Sequence, residues 1–412
     1  MRHINKELFL VLTIFSKELL GVSVAGSTID FYQVTIAVAG LSLYFSQKKT
    51  FGLMATLTGI LASSVAIFSY YETPISQTFL KQSAAVLFLY AGLGSYLLGC
   101  SEQKLASAYI RVCFWMAVFG IVQVILSLRG VDVYICLRGR LDSLTSEPSH
   151  YAVAVGPCVY YCFRYSRTFA ARCRAVVIIG SVLMTVSATG VAVVSMAFAL
   201  AFFRQARFAI VVLLAAASPL LLTMIPADAV PEVISSRFTS MHEYFGNASE
   251  PWDTTNSTIL SFGTNLDVAI APLAEGRIFG NGFCGHEAAY HRRYSHTEFV
   301  HHRLYELNIR SAHCLGIRII SEFGIPGILF TMFTVWYFIV HRRSNLWCMF
   351  LLVTFVGRML KLGSWVDYGI PLFLLSAVYF SATLPVAKRS LSSAGRRSAS
   401  ADPRLSTATV GH

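Results

Sequence analysis

The sequence predicts an all-α polytopic membrane protein, with about twelve transmembrane helices interrupted late in the chain by one large external loop. Three observations point there. More than half of the 412 residues are hydrophobic and only 13% are charged, too few ionised groups to wet a soluble chain of this length. The apolar residues come in unbroken runs close to the ~20 residues that carry a helix across ~30 Å of hydrocarbon. The net charge of +12 is confined to short Lys/Arg clusters between those runs, the pattern of membrane-anchoring loops rather than of a nucleic-acid footprint. No nucleic-acid partner is therefore expected.

The uncharged runs cover residues 51–71, 82–101, 112–128, 208–227, 323–340 and 368–387. Shorter runs at 31–46, 148–163 and 344–357 are long enough where the bilayer thins, with Pro157 able to bend the second of them. Residues 8–26 add a first span despite the central Lys17-Glu18 pair, and the lack of a small-residue cleavage pattern argues against a removed signal peptide. Residues 175–203 form a 29-residue uncharged stretch, roughly 43 Å as one helix and too long for an untilted crossing. A tight turn at Ser187-Ala188-Thr189-Gly190 divides it into two short spans.

Charge placement agrees with that division. Lys48-Lys49, Lys104, the group Arg164/Arg167/Arg172/Arg174, Arg204/Arg207, Arg342-Arg343 and the tail from Lys388 form one basic set of connections. The connections alternating with them hold Glu72, the Ser187 turn and Asp367, with Lys81, Arg358 and Lys361 only at the ends of the flanking spans. The positive-inside rule puts the basic set and both termini in the cytoplasm. Residues 1–226 then carry nine helices, 227–311 the large loop, 312–387 the last three helices, and 388–412 a Ser/Ala/Arg-rich tail expected to be disordered. No internal repeat supports an inverted-repeat transporter. The nine cysteines contain no CxxC pair and read as small apolar residues.

The outer segments break the charge rule. The large loop holds Arg237, Arg277, Arg292, Arg293, Arg303 and Arg310 but no lysine, and the smaller loop adds Arg129, Arg138 and Arg140. Guanidinium forks bind phosphate oxygens in bidentate fashion, so an anionic ligand such as a pyrophosphate competes with the plainer reading of arginines paired to loop carboxylates. Histidines gather there too (His242, His286, His291, His296, His301, His302, His313), yet without HExxH or a repeated helical spacing, so no metal site is expected.

In Arg140-Leu-Asp-Ser-Leu-Thr-Ser-Glu147-Pro148-Ser149-His-Tyr-Ala152, the proline suits the first turn of the sixth span. Glu147 there is either a carboxylate at a helix start or an acid–base group facing an outer cavity. His313 precedes the tenth span, with Glu322, Gly324 and Gly327 at offsets of nine, eleven and fourteen residues and Arg318 between. Arg358 and Lys361 near the outer end of the eleventh span read as snorkelling anchors or as ligand-binding groups.

These residues resemble the Wzy-type O-antigen and exopolysaccharide polymerases and, more distantly, the O-antigen ligases of the same superfamily. Arg140 to Ala152 is similar to their R…(S)EPS…A segment, and Ser187 to Gly190 to their Ser-x-x-Gly hairpin turn. Phe279-Gly280-Asn281-Gly282 is similar to their loop GxG, and His313 to Gly327 to their HN…E-x-G-x-x-G, with Cys314 standing where asparagine is frequent. The likeness runs through nearly the whole chain in order. It implies a GT-C-like glycosyltransferase of the bacterial inner membrane, needing no cofactor, that joins oligosaccharide units carried on undecaprenyl pyrophosphate at the periplasmic face. A chain-length regulator and a flippase are its implied partners beside the bilayer. Arg140, Arg237, Arg292 and Arg293 first, then Arg318 and Arg358, would hold pyrophosphates, and Glu147 or His313 would act on the attacking hydroxyl. A ligase moving polymer to lipid A core, a lipid-linked oligosaccharide flippase and a structural scaffold are the other readings.

Overall fold

The computed structural model describes residues 6–15, 21–24, 27–30, 51–71, 75, 77–131, 140–145, 147–202, 257–341, 345–366 and 369–382. The expected spans at 31–46 and 208–227, Lys17-Glu18, Arg237 and the tail from Lys388 lie outside the described residues. Twelve α-helices appear among those described: α1 (Lys6–Leu12), α2 (Phe51–Tyr70), α3 (Gln77–Leu97), α4 (Glu102–Leu128), α5 (Pro148–Tyr165), α6 (Phe169–Leu183), α7 (Ala188–Phe202), α8 (Ser257–Ala274), α9 (His286–Tyr294), α10 (Leu315–His341), α11 (Leu346–Leu360) and α12 (Ile370–Ala382). These are not the twelve expected spans, because α8 and α9 belong to the large loop.

One expected span needs correction. Residues 8–26 do not form a single helix: α1 ends at Leu12, and β1 (Gly21–Val24) pairs antiparallel with β2 (Ser27–Asp30), Val24 facing Ser27. The Lys17-Glu18 pair and the β-favouring run Val22, Val24, Thr28, Ile29 oppose a continuous helix there.

Two helices, α4 and α10, are long and apolar enough to cross a membrane, and residues 56–70, α7, α11 and most of α12 are shorter apolar helices. A core helix of a soluble protein is mostly buried, whereas only 11% of the most apolar window of α10 is buried. Leu329, Phe330, Met332, Phe333 and Trp336 on it are each more than half exposed. A predominantly helical body with such a face is consistent with a helical membrane protein. Helix α5 is the central post, packed on α6, α7 and α11, with Tyr151 to Val155 fully buried. The long uncharged stretch is indeed two helices, α6 and α7, and the Ser187 hydroxyl accepts the Gly190 amide at 2.9 Å to start the second.

Helix α10 is broken at Gly324 (φ 58°, ψ −142°), so its first part belongs to the loop layer and residues 325–341 carry the apolar face. Helix α11 begins on Asn345, whose side-chain oxygen accepts from the Trp347 and Cys348 amides at 2.9 and 3.1 Å. Asn345→Ala removes both acceptor contacts at a buried helix start and is expected to cost about 0.5–2 kcal/mol. Thermal unfolding in mild detergent reads this directly, and an unchanged midpoint would show the cap to be dispensable.

Candidate functional site

The site is built where helix ends of the bundle converge. Pro148 opens α5, leaving Glu147 as its N-cap in an extended conformation whose carboxylate does not cap the helix. That carboxylate instead accepts from the Ser149 hydroxyl at 3.1 Å and faces Lys361 Nζ at 3.3 Å and His150 Nε2 at 3.7 Å. Partial burial alone would raise its pKa. His150, Lys361 and the Ser149 hydroxyl together outweigh burial and hold it below the usual carboxylate value, so the group is anionic at neutral pH.

The segment before it is docked as well. The Leu141 amide donates to the Met184 carbonyl at 3.1 Å, and buried Ser143 donates to the Met116 carbonyl at 2.9 Å. Arg140 Nε and Nη2 reach the Thr185 and Val186 carbonyls at 3.2 and 3.3 Å. Thus the Arg140–Glu147 motif and the Ser187 turn, far apart in sequence, are neighbours.

His313 comes to the same corner from the large loop. Its ring is buried, with Nδ1 3.0 Å from the Ser261 hydroxyl, and Asn308 Nδ2 donates to that same hydroxyl at 2.9 Å. Burial first, and then the Lys361 charge, push its pKa down to about 4 against a smaller opposing pull from Glu147. The imidazole is therefore neutral at pH 7 and has proton-accepting capacity. His313 itself (φ 61°) and three residues around it are in the left-handed region without being glycine: Asn308 (φ 63°), Ala312 (φ 52°) and Leu362 (φ 72°). Each such conformation costs on the order of 1–3 kcal/mol, and clusters of them mark places where geometry outranks local comfort.

The arginines divide in a way the composition does not show. Arg318 is buried: Nε donates to Glu322 Oε1 at 2.7 Å, Nη1 to the Arg310 and Gly363 carbonyls at 3.3 and 3.2 Å, and Nη2 to Gln82 Oε1. Arg358 is buried too and donates to the Ser364 carbonyl. Both of these forks are directed at protein. Consecutive positions on a helix point about 100° apart, and Arg292 and Arg293 diverge accordingly. Arg292 donates to Asn281 Oδ1 at 3.0 Å, while Arg293 pairs with Asp267 at 3.0 and 3.3 Å. Partial desolvation and, after it, the neighbouring Arg277 charge lower the Arg292 pKa. Arg277 lies over the Tyr71 ring at 4.9 Å and 3.4 Å from Glu275.

The two glycine motifs of the loop meet each other. The Asn281 amide donates to the Ser321 carbonyl at 2.7 Å and the Ile325 amide to Ile278 at 2.9 Å, which seats residues 278–281 in the break of α10. A β-carbon on Gly280 would lie 2.7 Å from the Gly324 amide nitrogen. Below this seat, His286 bridges Asn265 and Ser321 at 2.8 Å on either ring nitrogen, with burial and the Arg318 charge lowering its pKa to about 3. Among the described residues no group of three or more His, Cys, Asp or Glu is placed to hold a metal ion.

Glu147 and His313 are thus brought to one corner, joined through Lys361, whereas Arg292 and Arg293 sit on α9 and Arg318 and Arg358 are directed into the protein. Sequence reasoning did not single out Ser261, Asn308, Asn265 or Gln82. A serine or amide in a polar loop carries no pattern of its own, and only Asn281, inside its glycine motif, was marked. No protein-family model, no curated protein and no solved structure matches the chain.

Proposed function

We propose that the chain is a multi-pass glycosyltransferase of the bacterial inner membrane that polymerises undecaprenyl-pyrophosphate-linked repeat units at the periplasmic face. One observation carries the reading. The motif segments that resemble the Wzy-type polymerases are far apart in sequence, and Glu147, His313 and the Ser187 turn from three of them gather at one end of the bundle. That end also collects the outer connections in the charge alternation: the Arg140 segment on the Ser187 turn, residues 361–365 against Glu147 and Tyr90, and Gln82 against the loop.

In the proposed reaction a hydroxyl of the acceptor glycan attacks the anomeric carbon of the donor, and the bond to the lipid pyrophosphate breaks. The anionic Glu147 or the neutral His313 accepts the hydroxyl proton. Arg140, Arg292 and Arg293, with Arg237 outside the described residues, are the proposed partners of the pyrophosphates, stabilising the leaving group as charge develops on it. Exposed Arg293 would first exchange Asp267 for phosphate. Arg318 and Arg358, directed into the protein, would support the site from beneath.

Glu147→Gln and His313→Ala are each expected to lower polymerisation about 10²-fold or more if that residue is the base. The assay is polymer length and yield in cells lacking the chromosomal copy, with protein levels matched. Unchanged polymer in both variants would remove the assignment. The deletion strain separates the classes. A single repeat unit on the lipid core supports a polymerase, full-length polymer stranded on the carrier a ligase, and repeat units held on the cytoplasmic side a flippase.

A further inference from the structure

Lys361 follows α11, at a place where a long cationic side chain commonly reaches for headgroups or water. Its surroundings are different. Its ammonium is 3.3 Å from Glu147 Oε2 and its side chain only 20% exposed. The backbone that carries it is fixed at three points. Leu362 is left-handed (φ 72°), its amide donates to the His313 carbonyl at 3.1 Å, and Gly363 lies where a β-carbon would overlap the Ser311 carbonyl. A headgroup anchor requires none of these constraints, because a flexible stem finds the interface unaided. The constraints do have a use if the ammonium must stand at one point between two segments.

Those segments are the start of α5 and the approach to α10. Glu147 faces Lys361 from the first, with His150 3.7 Å from the same carboxylate oxygen, and His313 feels the lysine from the second. On α11 itself the nearest other charge, Arg358, is turned to the Ser364 carbonyl. A cation at this point acts in the same sense on both proton acceptors, favouring the carboxylate and disfavouring the imidazolium.

We propose that Lys361 is a positioning residue for the transfer reaction, holding Glu147 in its ionised form and fixed orientation beside His313 through an ion pair that ties the end of α11 to the start of α5. This rests on the reading of Glu147 as an acid–base group. Burial acts on both acceptors besides Lys361: it opposes the lysine at Glu147 and reinforces it at His313. Taking the charge away therefore raises the proton affinity of both. Activity that needs either base free of its proton then fails at a higher pH.

The test uses the full-length protein in phospholipid nanodiscs, supplied with lipid-linked repeat units extracted from the producing cells, with rates taken from pH 4.5 to 8 and normalised to folded protein. Lys361→Met keeps most of the apolar stem and removes the charge. It is expected to move the acidic limb of the rate profile up by about one pH unit, which lowers the rate severalfold, at most about tenfold, at pH values on that limb and leaves the rate near pH 7 unchanged. Lys361→Arg is expected to leave the limb where it is. A wild-type limb in Lys361→Met, whether the amount of folded protein falls or not, overturns the proposal and reduces the lysine to an anchor. If Glu147→Gln is inactive in the same assay, that failure leaves the acid–base reading of Glu147 intact. A fully active Glu147→Gln instead overturns that reading and this proposal together.

Discussion

Replacing Glu322 with alanine is expected to destabilise the protein by about 3–5 kcal/mol, because it strands a guanidinium in the interior. The Arg318 and Glu322 side chains are 3% and 0% exposed, and their 2.7 Å contact spans one turn of α10. The other carboxylate oxygen accepts from Trp365 Nε1 at 3.0 Å, so the acid also ties α10 to the segment before α12. Alanine leaves Arg318 with carbonyls, the Gln82 amide oxygen and the Cys284 sulfur at 3.7 Å, all neutral. Neutral dipoles stabilise a buried cation less than a carboxylate does. The double variant Arg318→Met/Glu322→Leu removes both charges and is expected to recover part of the loss, since an apolar pair of similar volume is often close to neutral. Unfolding of the three proteins in one detergent measures the difference. A loss below about 1 kcal/mol in the single variant would show that the cation is hydrated rather than dry.

The second large effect is expected at Gly324, where alanine should cost roughly 2–5 kcal/mol, combining backbone strain with overpacking. Its φ of 58° with ψ −142° is a conformation that side chains rarely adopt, and a β-carbon would stand 2.6 Å from the Gly280 amide nitrogen and overlap the Ile278 carbonyl. Because neighbours on both sides are backbone, no side chain can rotate away to make room. Relief has to come from lifting residues 278–281 out of the break, with loss of the amide bonds from Asn281 and Ile325. Gly180→Ala is the control. That helical position in α6 has nothing within 4 Å, and alanine there is expected to leave stability unchanged or slightly raised. Equal midpoints for Gly324→Ala and the unsubstituted protein would mean that the loop does not seat in α10 as described.

The parts legible in the sequence were those governed by one local rule. Pro148 marked the start of α5 because its ring fits the first turn at no cost in hydrogen bonds, and the Ser187 turn was readable because 29 uncharged residues exceed one crossing. The strand Gly21–Val24 falls inside the span expected at 8–26, since a short apolar run has no period that separates strand from helix. The count of outer arginines was plain, but their directions were not. A guanidinium is the same letter whether it faces solvent, as Arg293 does beside Asp267, or is enclosed like Arg318. One signal was available: Arg318 and Glu322 stand four apart, the spacing of a helical ion pair. The corner joining Glu147, Lys361 and His313 was not readable, because it depends on three segments meeting across more than two hundred residues.

The shell around Arg318 also sets an order of events in synthesis. Glu322 follows within one helical turn, so the two charges can neutralise each other as soon as that turn forms. Gln82 has been waiting since 236 residues earlier, Cys284 since 34, and the Gly363 carbonyl arrives only 45 residues later. The guanidinium is therefore born beside its counter-charge but completed only when a further 45 residues have been made. A ribosome-bound chain ending before Gly363 would carry the ion pair without its full lining, which the turn after α11 completes.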